Sequence, residues 1–202
     1  MTLKTTGPFI TNGTIILASG SPRRRELLRD LGLDFEVHPS QAEEPAPLAG
    51  EKPEDYAKRM AEMKTMDVAA HFTDTTVLGA DTIVVLDGHI MGKPTDDADA
   101  LAMLSSLSGK THQVITGYCI VLPSGENVVQ AVSTDVDMRI SGEAELKGYI
   151  ATGEPMDKAG AYAIQGIGTF LVTGIRGSYT NVVGLPVARI LDTLIEKNIV
   201  ES

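Results

Sequence analysis

The sequence predicts a mixed α/β fold, in which a twisted sheet is flanked by helices. Short apolar runs of strand length alternate along the chain with segments whose apolar residues recur at helical spacing. In two places strand-like runs follow one another directly, joined by Asp87-Gly88 and by "PSGE" at 123–126. Such pairs imply antiparallel neighbours, so we expect a mixed sheet and not a purely parallel one.

The first part of the chain predicts two strands and two helices. "TIILAS" (14–19) and "DFEVHPS" (34–40) are typical of strands. Between them, Ser21 is expected to cap a helix that begins at Pro22 and ends at Gly32. Segment 41–53 is rich in proline and glutamate. We interpret it as a mobile loop and not an interdomain linker, because the first strand–helix unit is too small to bury its own core.

The remaining elements follow from periodicity and turn residues. A second helix is predicted from Pro53, and a hairpin is predicted within 76–94. Two long strands are expected at 112–122 and 127–140, and a later one at 168–175. The expected ends of the other helices are Thr95 to Gly109, Ser141 to Gly153, and 186–197 with Ile190, Leu191, Leu194 and Ile195 facing inward.

Composition limits the classes of function. The chain has 202 residues, 17 Lys and Arg against 27 Asp and Glu, and a formal net charge of −10. Such a charge disfavours binding to nucleic acid or to an anionic membrane. No apolar run approaches a membrane span, and the N-terminus lacks a signal-peptide pattern. We therefore expect a cytoplasmic protein with one domain over 14–200, a homodimer being compatible, and an N-terminal extension over 1–13 that is disordered.

The stretch "ILASGSPRRRELL" (16–28) indicates an anion site. A strand, a turn of small residues and a helix N-terminus leave backbone N–H groups free, and the helix dipole adds positive charge. Arg23 and Arg24 lie in the first helical turn, where cations are unfavourable by a few tenths of a kcal/mol or more. A bound phosphate would offset that cost through charge-assisted contacts. Solvated arginines behind a simple helix start are the alternative.

Six motifs in order resemble the Maf family of nucleoside triphosphate pyrophosphatases, from about residue 14 to residue 195. They are "LASGSPRRRELLRDLG", "LGADTIVVLDG", "GKP", "LSGKTHQVITG", "DKAGAYAIQG" and "GSYTNVVGLP". The resemblance implies a two-lobed fold of the inosine-triphosphatase type with a central cleft. It also implies hydrolysis of a nucleoside triphosphate to the monophosphate and pyrophosphate, with Mg²⁺ or Mn²⁺ as cofactor.

The same resemblance implies roles for particular residues. Asp81 would activate the attacking water, and Glu44, which matches better than Glu43, would join it as a metal ligand. Arg23, Thr82 and Gln165 match the positions that set specificity, and their combination resembles the branch acting on dTTP and UTP. Relatives acting on methylated GTP carry tryptophan and glutamate at two of these positions, and this chain has no tryptophan. The expected phosphate ligands are Ser19, Ser21, Arg24, Lys64, Lys93 and Lys158.

Several alternatives remain open at the level of sequence. A glutamine amide can pair with a uracil edge, but a flipped amide and a freely rotating threonine hydroxyl would also accept cytosine. Modified pyrimidine nucleotides are a further candidate substrate. A non-catalytic nucleotide-binding regulator of cell division is the rival class of function. Cys119, in an apolar run, is expected to be buried and inert, and His112 is expected to be structural.

Overall fold

The structure, a computed structural model, describes residues 7–201. Strands and helices interleave along it as the alternating periodicities predict. The strands are β1 Ile10–Thr11, β2 Ile15–Leu17, β3 Phe35–Val37, β4 Thr76–Leu86, β5 His89–Met91, β6 Thr111–Val121, β7 Asn127–Met138, β8 Val172–Arg176 and β9 Val200–Glu201. The helices are α1 Pro22–Asp30, α2 Pro53–Ala69, α3 Asp97–Leu107, α4 Glu143–Ile150, α5 Tyr179–Val183 and α6 Val187–Glu196. Short 3₁₀ helices span Glu154–Asp157, Ala159–Ala161 and Gly166–Leu171.

The main sheet is mixed, as expected. Its strands run in the order β3-β2-β4-β6-β7-β8, and β5 pairs with β4. The strand β2 is parallel to both β3 and β4, whereas β4, β6, β7 and β8 are joined by antiparallel pairings. The β4–β5 hairpin turns at Asp87 and Gly88, which have φ values of 50° and 80°, as a tight two-residue turn requires.

The apolar core has two large clusters. One lies around β2, α1 and α6 and includes Leu17, Leu28 and Leu194. The other lies around α3, α4 and the 3₁₀ helices and includes Leu104 and Tyr149. Cys119 is fully buried, and burial raises the pKa of its thiol to about 11, in agreement with an inert role.

The starts of two helices differ from the prediction. The N-cap of α3 is Asp96 and not Thr95, because the Asp96 carboxylate accepts from the Asp99 amide at 2.8 Å. Helix α4, expected to start at Ser141, begins at Glu143 after the N-cap Gly142, and the Glu145 carboxylate accepts from the Gly142 amide at 3.0 Å.

Three further predictions are wrong in part. Residues 168–171 form the end of a 3₁₀ helix, so the strand β8 begins only at Val172. Ile195 is 41% exposed, while Ile190 and Leu194 of the same helix are buried. Residues 1–6 of the predicted N-terminal extension lie outside the described residues. Ile10–Thr11 pair with Val200–Glu201, so this part of the extension is not disordered.

No helix in the described range is both long enough and apolar enough to cross a membrane.

Candidate active site

The candidate site lies beside a gap in the sheet along one edge of β4. This edge pairs with β2 through residues 76–78 and with β5 through residues 84–86. Between them, residues 79–83 pair on this edge with no strand of the described chain. A cavity of about 630 Å³ is lined here by residues 81–84. Because side chains alternate along a strand, Asp81 and Thr82 face opposite sides of the sheet, and the cavity reaches both.

The structure brings the predicted site residues together at this cavity, although they are far apart in sequence. Glu44 lines it, whereas the adjacent Glu43 is not among its lining residues. The predicted residues that line it are Ser19, Ser21, Arg23, Arg24, Glu44, Lys64, Asp81, Thr82, Lys93, Lys158 and Gln165.

On one side of the sheet, an ammonium group bridges two carboxylates. Lys64 Nζ lies 2.6 Å from Asp81 Oδ1 and 2.7 Å from Glu44 Oε1. Asp81 is buried, being 7% exposed. Burial acts to lower the pKa of Lys64, but the charges and hydrogen bonds of Asp81 and Glu44 raise it overall. Burial likewise acts to raise the pKa of Glu44, and the contact with Lys64 lowers it overall. Lys64 and Glu44 are therefore charged at neutral pH.

Two glycines let α2 approach the sheet closely enough to make this contact. A Cβ on Gly117 would collide with the Ala57 carbonyl, and one on Gly79 would collide with the Thr65 hydroxyl. Both glycines lie on strands directly beneath α2, and Gly117 is the register partner of Asp81. The short distance between helix and sheet therefore places Lys64 within hydrogen-bonding distance of Asp81.

The loop that carries Glu44 is attached to α2 at three points. The Asp67 carboxylate accepts from Ser40 Oγ at 2.7 Å. The Tyr56 hydroxyl donates to the Pro45 carbonyl at 3.2 Å, and Arg59 forms a 2.7 Å ion pair with Glu51. These contacts hold a segment that has neither helix nor strand, and they fix Glu44 at the cavity.

On the other side of the sheet, the structure differs from the expectation for Arg24. Its guanidinium is buried and donates to four protein oxygens. They are Gly184 O at 2.7 Å, Ala80 O at 2.7 Å, Ser19 Oγ at 3.1 Å and Thr82 Oγ1 at 3.0 Å. An arginine has five N–H donors, so at most one remains for a phosphate. Arg24 mainly joins α1, β4 and the end of α5.

Thr82 belongs to a chain of buried hydroxyl groups. Its Oγ1 lies 2.9 Å from Thr116 Oγ1 on the neighbouring strand, and Thr116 Oγ1 donates to the Asn181 carbonyl at 3.0 Å. Thr82 and Thr116 are register partners, so their side chains lie on the same face of the sheet. This chain links the cavity wall to α5.

Three more cations line the cavity. Within the described range, Arg23 and Lys93 form neither an ion pair nor a side-chain hydrogen bond, so both are available to an anion. Lys158 is ion-paired with the neighbouring Asp157. Ser21 caps α1, its hydroxyl accepting from the Arg24 amide at 3.5 Å. The α1 N-terminus and these two unpaired cations thus provide positive charge at the surface of the cavity.

Gln165 lies on a loop that Glu154 holds in place. Glu154 accepts from Ile167 N at 2.9 Å, from Gly168 N at 2.8 Å and from the Tyr149 hydroxyl at 2.9 Å. Gly166 has a φ of 78°, and a Cβ there would collide with the Glu154 carboxylate. The Gln165 side chain itself makes no hydrogen bond to any described residue and lines the cavity.

The two carboxylates, Asp81 and Glu44, can bind a divalent metal only if a bound ligand supplies further oxygen atoms. Among residues 7–201, no three His, Cys, Asp or Glu side chains form a group that could hold a metal ion. Asp81 and Glu44 approach the same ammonium group, so their oxygens lie near one another. Mg²⁺ is often bound by one or two carboxylates together with phosphate oxygens and water. The pair therefore fits such an ion when a polyphosphate supplies the other ligands.

Sequence reasoning missed several lining residues. Tyr56 and Tyr162 form apolar walls, and Gly184 supplies a backbone carbonyl to Arg24. Thr116 does not line the cavity but orients Thr82. The spacing of Tyr56 fits the apolar face of α2, and nothing in that spacing distinguishes a cavity wall from the core. The sequence signal for Gly184 is its place after α5, where its φ of 120° favours glycine.

Fold and site together define a mixed α/β protein whose central cleft can bind a polyanion beside a buried carboxylate. The chain belongs to the Maf family: the family's sequence profile, described as Maf-like protein, matches residues 14–197. Among similar proteins, a dTTP/UTP pyrophosphatase of Oleidesulfovibrio alaskensis is 51% identical over 196 residues, covering 96% of this chain and 90% of the relative. A dTTP/UTP pyrophosphatase of Geobacter sulfurreducens is 49% identical over 183 residues, covering 90% and 95%.

A solved structure supports the fold. The Ham1 protein of Staphylococcus aureus superimposes with a TM-score of 0.54 at 14% sequence identity, covering 92% of this chain and 99% of that protein. At this identity the likeness concerns the arrangement of strands and helices, which agrees with the mixed sheet and its cleft.

Proposed function

We propose that this protein hydrolyses nucleoside triphosphates, with dTTP and UTP as preferred substrates, to the monophosphate and pyrophosphate. The observation that carries the proposal is the single cavity that combines the buried Asp81–Lys64 pair with the unpaired cations Arg23 and Lys93. A triphosphate needs such cations, and its hydrolysis needs a base beside them. The dTTP/UTP pyrophosphatases to which the chain is similar support the choice of substrates. Modified pyrimidine triphosphates belong to the same substrate class.

Asp81 is the proton acceptor in this proposal. Its carboxylate takes a proton from a water molecule whose oxygen forms a bond to the α-phosphorus, while the bond from that phosphorus to the α–β bridging oxygen breaks. Lys64 holds the carboxylate in place through its 2.6 Å contact. Lys93, Lys158 and Arg23 offset the charge that builds on the departing pyrophosphate. Ser19 and Ser21 also line the cavity, next to the N-terminus of α1.

Glu44 and Asp81 would hold a divalent metal, Mg²⁺ or Mn²⁺, together with phosphate oxygens. When bound, the metal would polarise the phosphoryl group and neutralise part of its charge.

In this proposal the nucleotide base binds on the Thr82 side of the cavity, where Gln165 offers its amide to the pyrimidine edge. Arg23 lines the same cavity. We take residues 14–200 as one catalytic domain, since the lining residues run from Ser19 to Gly184. We place the protein in the cytoplasm, where nucleoside triphosphates are made, and leave a homodimer as a prediction.

The replacement Asp81→Asn tests the proposal. Loss of the general base should reduce pyrophosphate release from UTP by about 10²–10⁴-fold, because that is the usual contribution of such a group. Binding of UTP, measured by titration calorimetry, should persist. The control is Asp87→Asn, an exposed turn residue at the far end of the same strand, which should keep full activity.

Two results would contradict the proposal in different ways. Normal turnover by the Asp81→Asn variant would remove Asp81 from the reaction. Binding of UTP without pyrophosphate release by the unmodified protein, in Mg²⁺ or Mn²⁺, would favour a non-catalytic nucleotide-binding regulator.

A further inference from the structure

The hydrogen bonds of Thr116 determine where the proton of the Thr82 hydroxyl lies. Thr116 is fully buried, and its only hydroxyl proton is directed to the Asn181 carbonyl at 3.0 Å. The 2.9 Å contact between the two threonine oxygens must then use the proton of Thr82. The other acceptor near Thr82, Gly184 O, lies 3.5 Å away, beyond the usual range for O–H···O bonds.

The remaining contact of Thr82 occupies one of its lone pairs. Arg24 Nη2 donates to Thr82 Oγ1 at 3.0 Å, and the other bonds of Arg24 hold that guanidinium in place. A threonine hydroxyl has one proton and two lone pairs. With the proton and one lone pair used, the half-buried oxygen offers the cavity a single lone pair. Thr82 therefore acts toward a ligand as an acceptor only, and it does not rotate freely.

An acceptor-only oxygen restricts which part of a substrate can lie against it. The phosphates of a nucleoside triphosphate at neutral pH carry acceptors, so they would be repelled. Donors occur in the nucleoside half, as ribose hydroxyls and as N–H groups of the base. The Thr82 side of the cavity therefore suits the nucleoside, while Asp81 and Lys64 face the other side of the sheet.

We propose that Thr82 Oγ1 accepts the N3–H of a 4-keto pyrimidine, and that Thr116 is the positioning residue that makes this selection. The inference rests on the proposed function. Uracil and thymine share N3–H, whereas UTP and dTTP differ at the ribose 2′ position, so the donors common to both substrates are this N3–H and the ribose 3′-hydroxyl. Cytosine carries no proton on N3, so its N3 and Thr82 Oγ1 would be two acceptors facing each other.

The unmodified protein provides the first test, measured as kcat/KM for pyrophosphate release. UTP should be preferred over both CTP and N3-methyl-UTP, which lacks the proton. The 3′-deoxy analogue of dTTP should resemble dTTP. Equal rates for UTP and N3-methyl-UTP would overturn the inference, and a loss confined to the 3′-deoxy analogue would assign the acceptor to ribose.

The variant Thr116→Val provides the second test. It removes the acceptor for the Thr82 proton, so that hydroxyl can turn and donate to the N3 of cytosine. The UTP-over-CTP ratio of kcat/KM should fall about tenfold, the value of one neutral hydrogen bond. Thr116→Ser keeps the hydroxyl and should restore the ratio. Thr134→Val is the matched control, because Thr134 is also buried and bonds Asn181 Nδ2 at 3.0 Å without contacting Thr82.

The two proposals fail in different ways. An unchanged UTP-over-CTP ratio in a folded Thr116→Val protein, or an equal change in the Thr134→Val control, would overturn the role of Thr116 while leaving hydrolysis intact. Absence of pyrophosphate release from every triphosphate would contradict the proposed function instead. If Thr116→Val does not fold, the comparison of UTP with N3-methyl-UTP on the unmodified protein decides the matter.

Discussion

Arg23 and Arg24 are consecutive residues in the first turn of α1, yet their surroundings differ. Arg24 points into the protein, where burial lowers the pKa of its guanidinium and the charge of Asp81 acts in the opposite direction. Arg23 lines the cavity and pairs with no described residue. Successive residues on a helix are separated by about 100° of rotation, so one of two adjacent arginines faces the core. Of these two arginines, Arg24 is thus structural, and Arg23 is available to a ligand.

Conservative replacements should separate these two roles. Arg24→Lys removes the planar fork and leaves the Ala80 and Gly184 carbonyls short of donors, so the free energy of unfolding should fall by about 2–3 kcal/mol. Arg23→Lys should change it by no more than about 0.5 kcal/mol. Urea denaturation with linear extrapolation measures both. Equal stability losses would show that the Arg24 bonds contribute little.

At the residue scale, the sequence predicted which residues line the cavity better than it predicted what each of them contacts. Ser21 and Asp81 were predicted from motifs, Glu44 and Lys64 from the family resemblance, and the structure brings all four to one cavity. The engagement of Arg24 by Gly184 could not be predicted, because it joins positions 160 residues apart. The proton of Thr82 depends in the same way on a partner from another strand. Such donor and acceptor assignments require the tertiary fold.

At the scale of elements, the contact between α2 and the sheet sets the position of Lys64. Gly117 lies beneath Ala57 on the first turn of the helix, and Gly79 lies beneath Thr65 further along. Thr65 is itself held by a 2.6 Å bond to the Ala61 carbonyl, so its hydroxyl cannot easily move aside. A side chain at either glycine must therefore displace the helix.

The variant Gly117→Ala should weaken both stability and turnover. Its Cβ would press against the backbone of α2, and overpacking of this kind costs about 1–3 kcal/mol. Movement of the helix would also separate Lys64 from Asp81. At saturating substrate, kcat should therefore fall further than the smaller fraction of folded protein explains. Gly148→Ala is the control. It lies on the exposed face of α4 with open space around its Cβ and should stabilise the protein by about 0.5–1 kcal/mol.

Glu154 should act on base recognition through the loop that carries Gln165. In Glu154→Gln one of the two oxygens becomes an NH₂ group, which cannot accept from the Ile167 or Gly168 amide. We expect kcat/KM for UTP to fall by about tenfold, the value of one such bond. Inhibition by inorganic tripolyphosphate, which lacks a base, should not change. Equal weakening of both would mean that the loop contributes to phosphate binding.

The elements themselves were largely predictable. Period, turn residues and glycines predicted most of the helices and strands, because these signals are local. The errors occur where a distant or neighbouring carboxylate accepts from backbone amides for which other partners were predicted. Asp96 took the place of the predicted cap Thr95, and Glu154 bonds the Ile167 and Gly168 amides of the 3₁₀ helix that replaces the predicted strand at 168–171. The sequence alone did not indicate which carboxylate would reach which amide.

For the whole molecule, the acidic excess and the cationic cavity are compatible because the charges are separated in space. The chain has a net charge of −10, yet five of its lysines and arginines line the cavity against three carboxylates. Most of the remaining acidic residues lie elsewhere on the protein. A triphosphate therefore meets a local excess of positive charge in the cleft, although the chain as a whole is acidic.

The stability of the whole molecule should depend on pH through His112. This residue is 2% exposed and shares a 2.7 Å hydrogen bond with the Tyr162 hydroxyl, while its Nδ1 has no partner in the described chain. Burial lowers the pKa of His112 from 6.5 to about 4, opposed by the more distant charges of Asp137 and Asp135. In the unfolded chain it binds a proton near pH 6.5, and in the folded protein only near pH 4. The unfolded state therefore binds more protons between these values, and stability falls as the pH drops through this window.

Between pH 7 and pH 5 the loss from His112 should be about 2 kcal/mol, with the ordinary carboxyl groups contributing mainly below that range. Urea denaturation at several pH values measures it. The variant His112→Gln cannot take up the proton and should show a flatter stability profile over this window, even if it is less stable at pH 7. Replacement of the exposed His89 by glutamine should leave the profile unchanged. A His112→Gln profile as steep as that of the unmodified protein would mean that other groups cause the acid sensitivity.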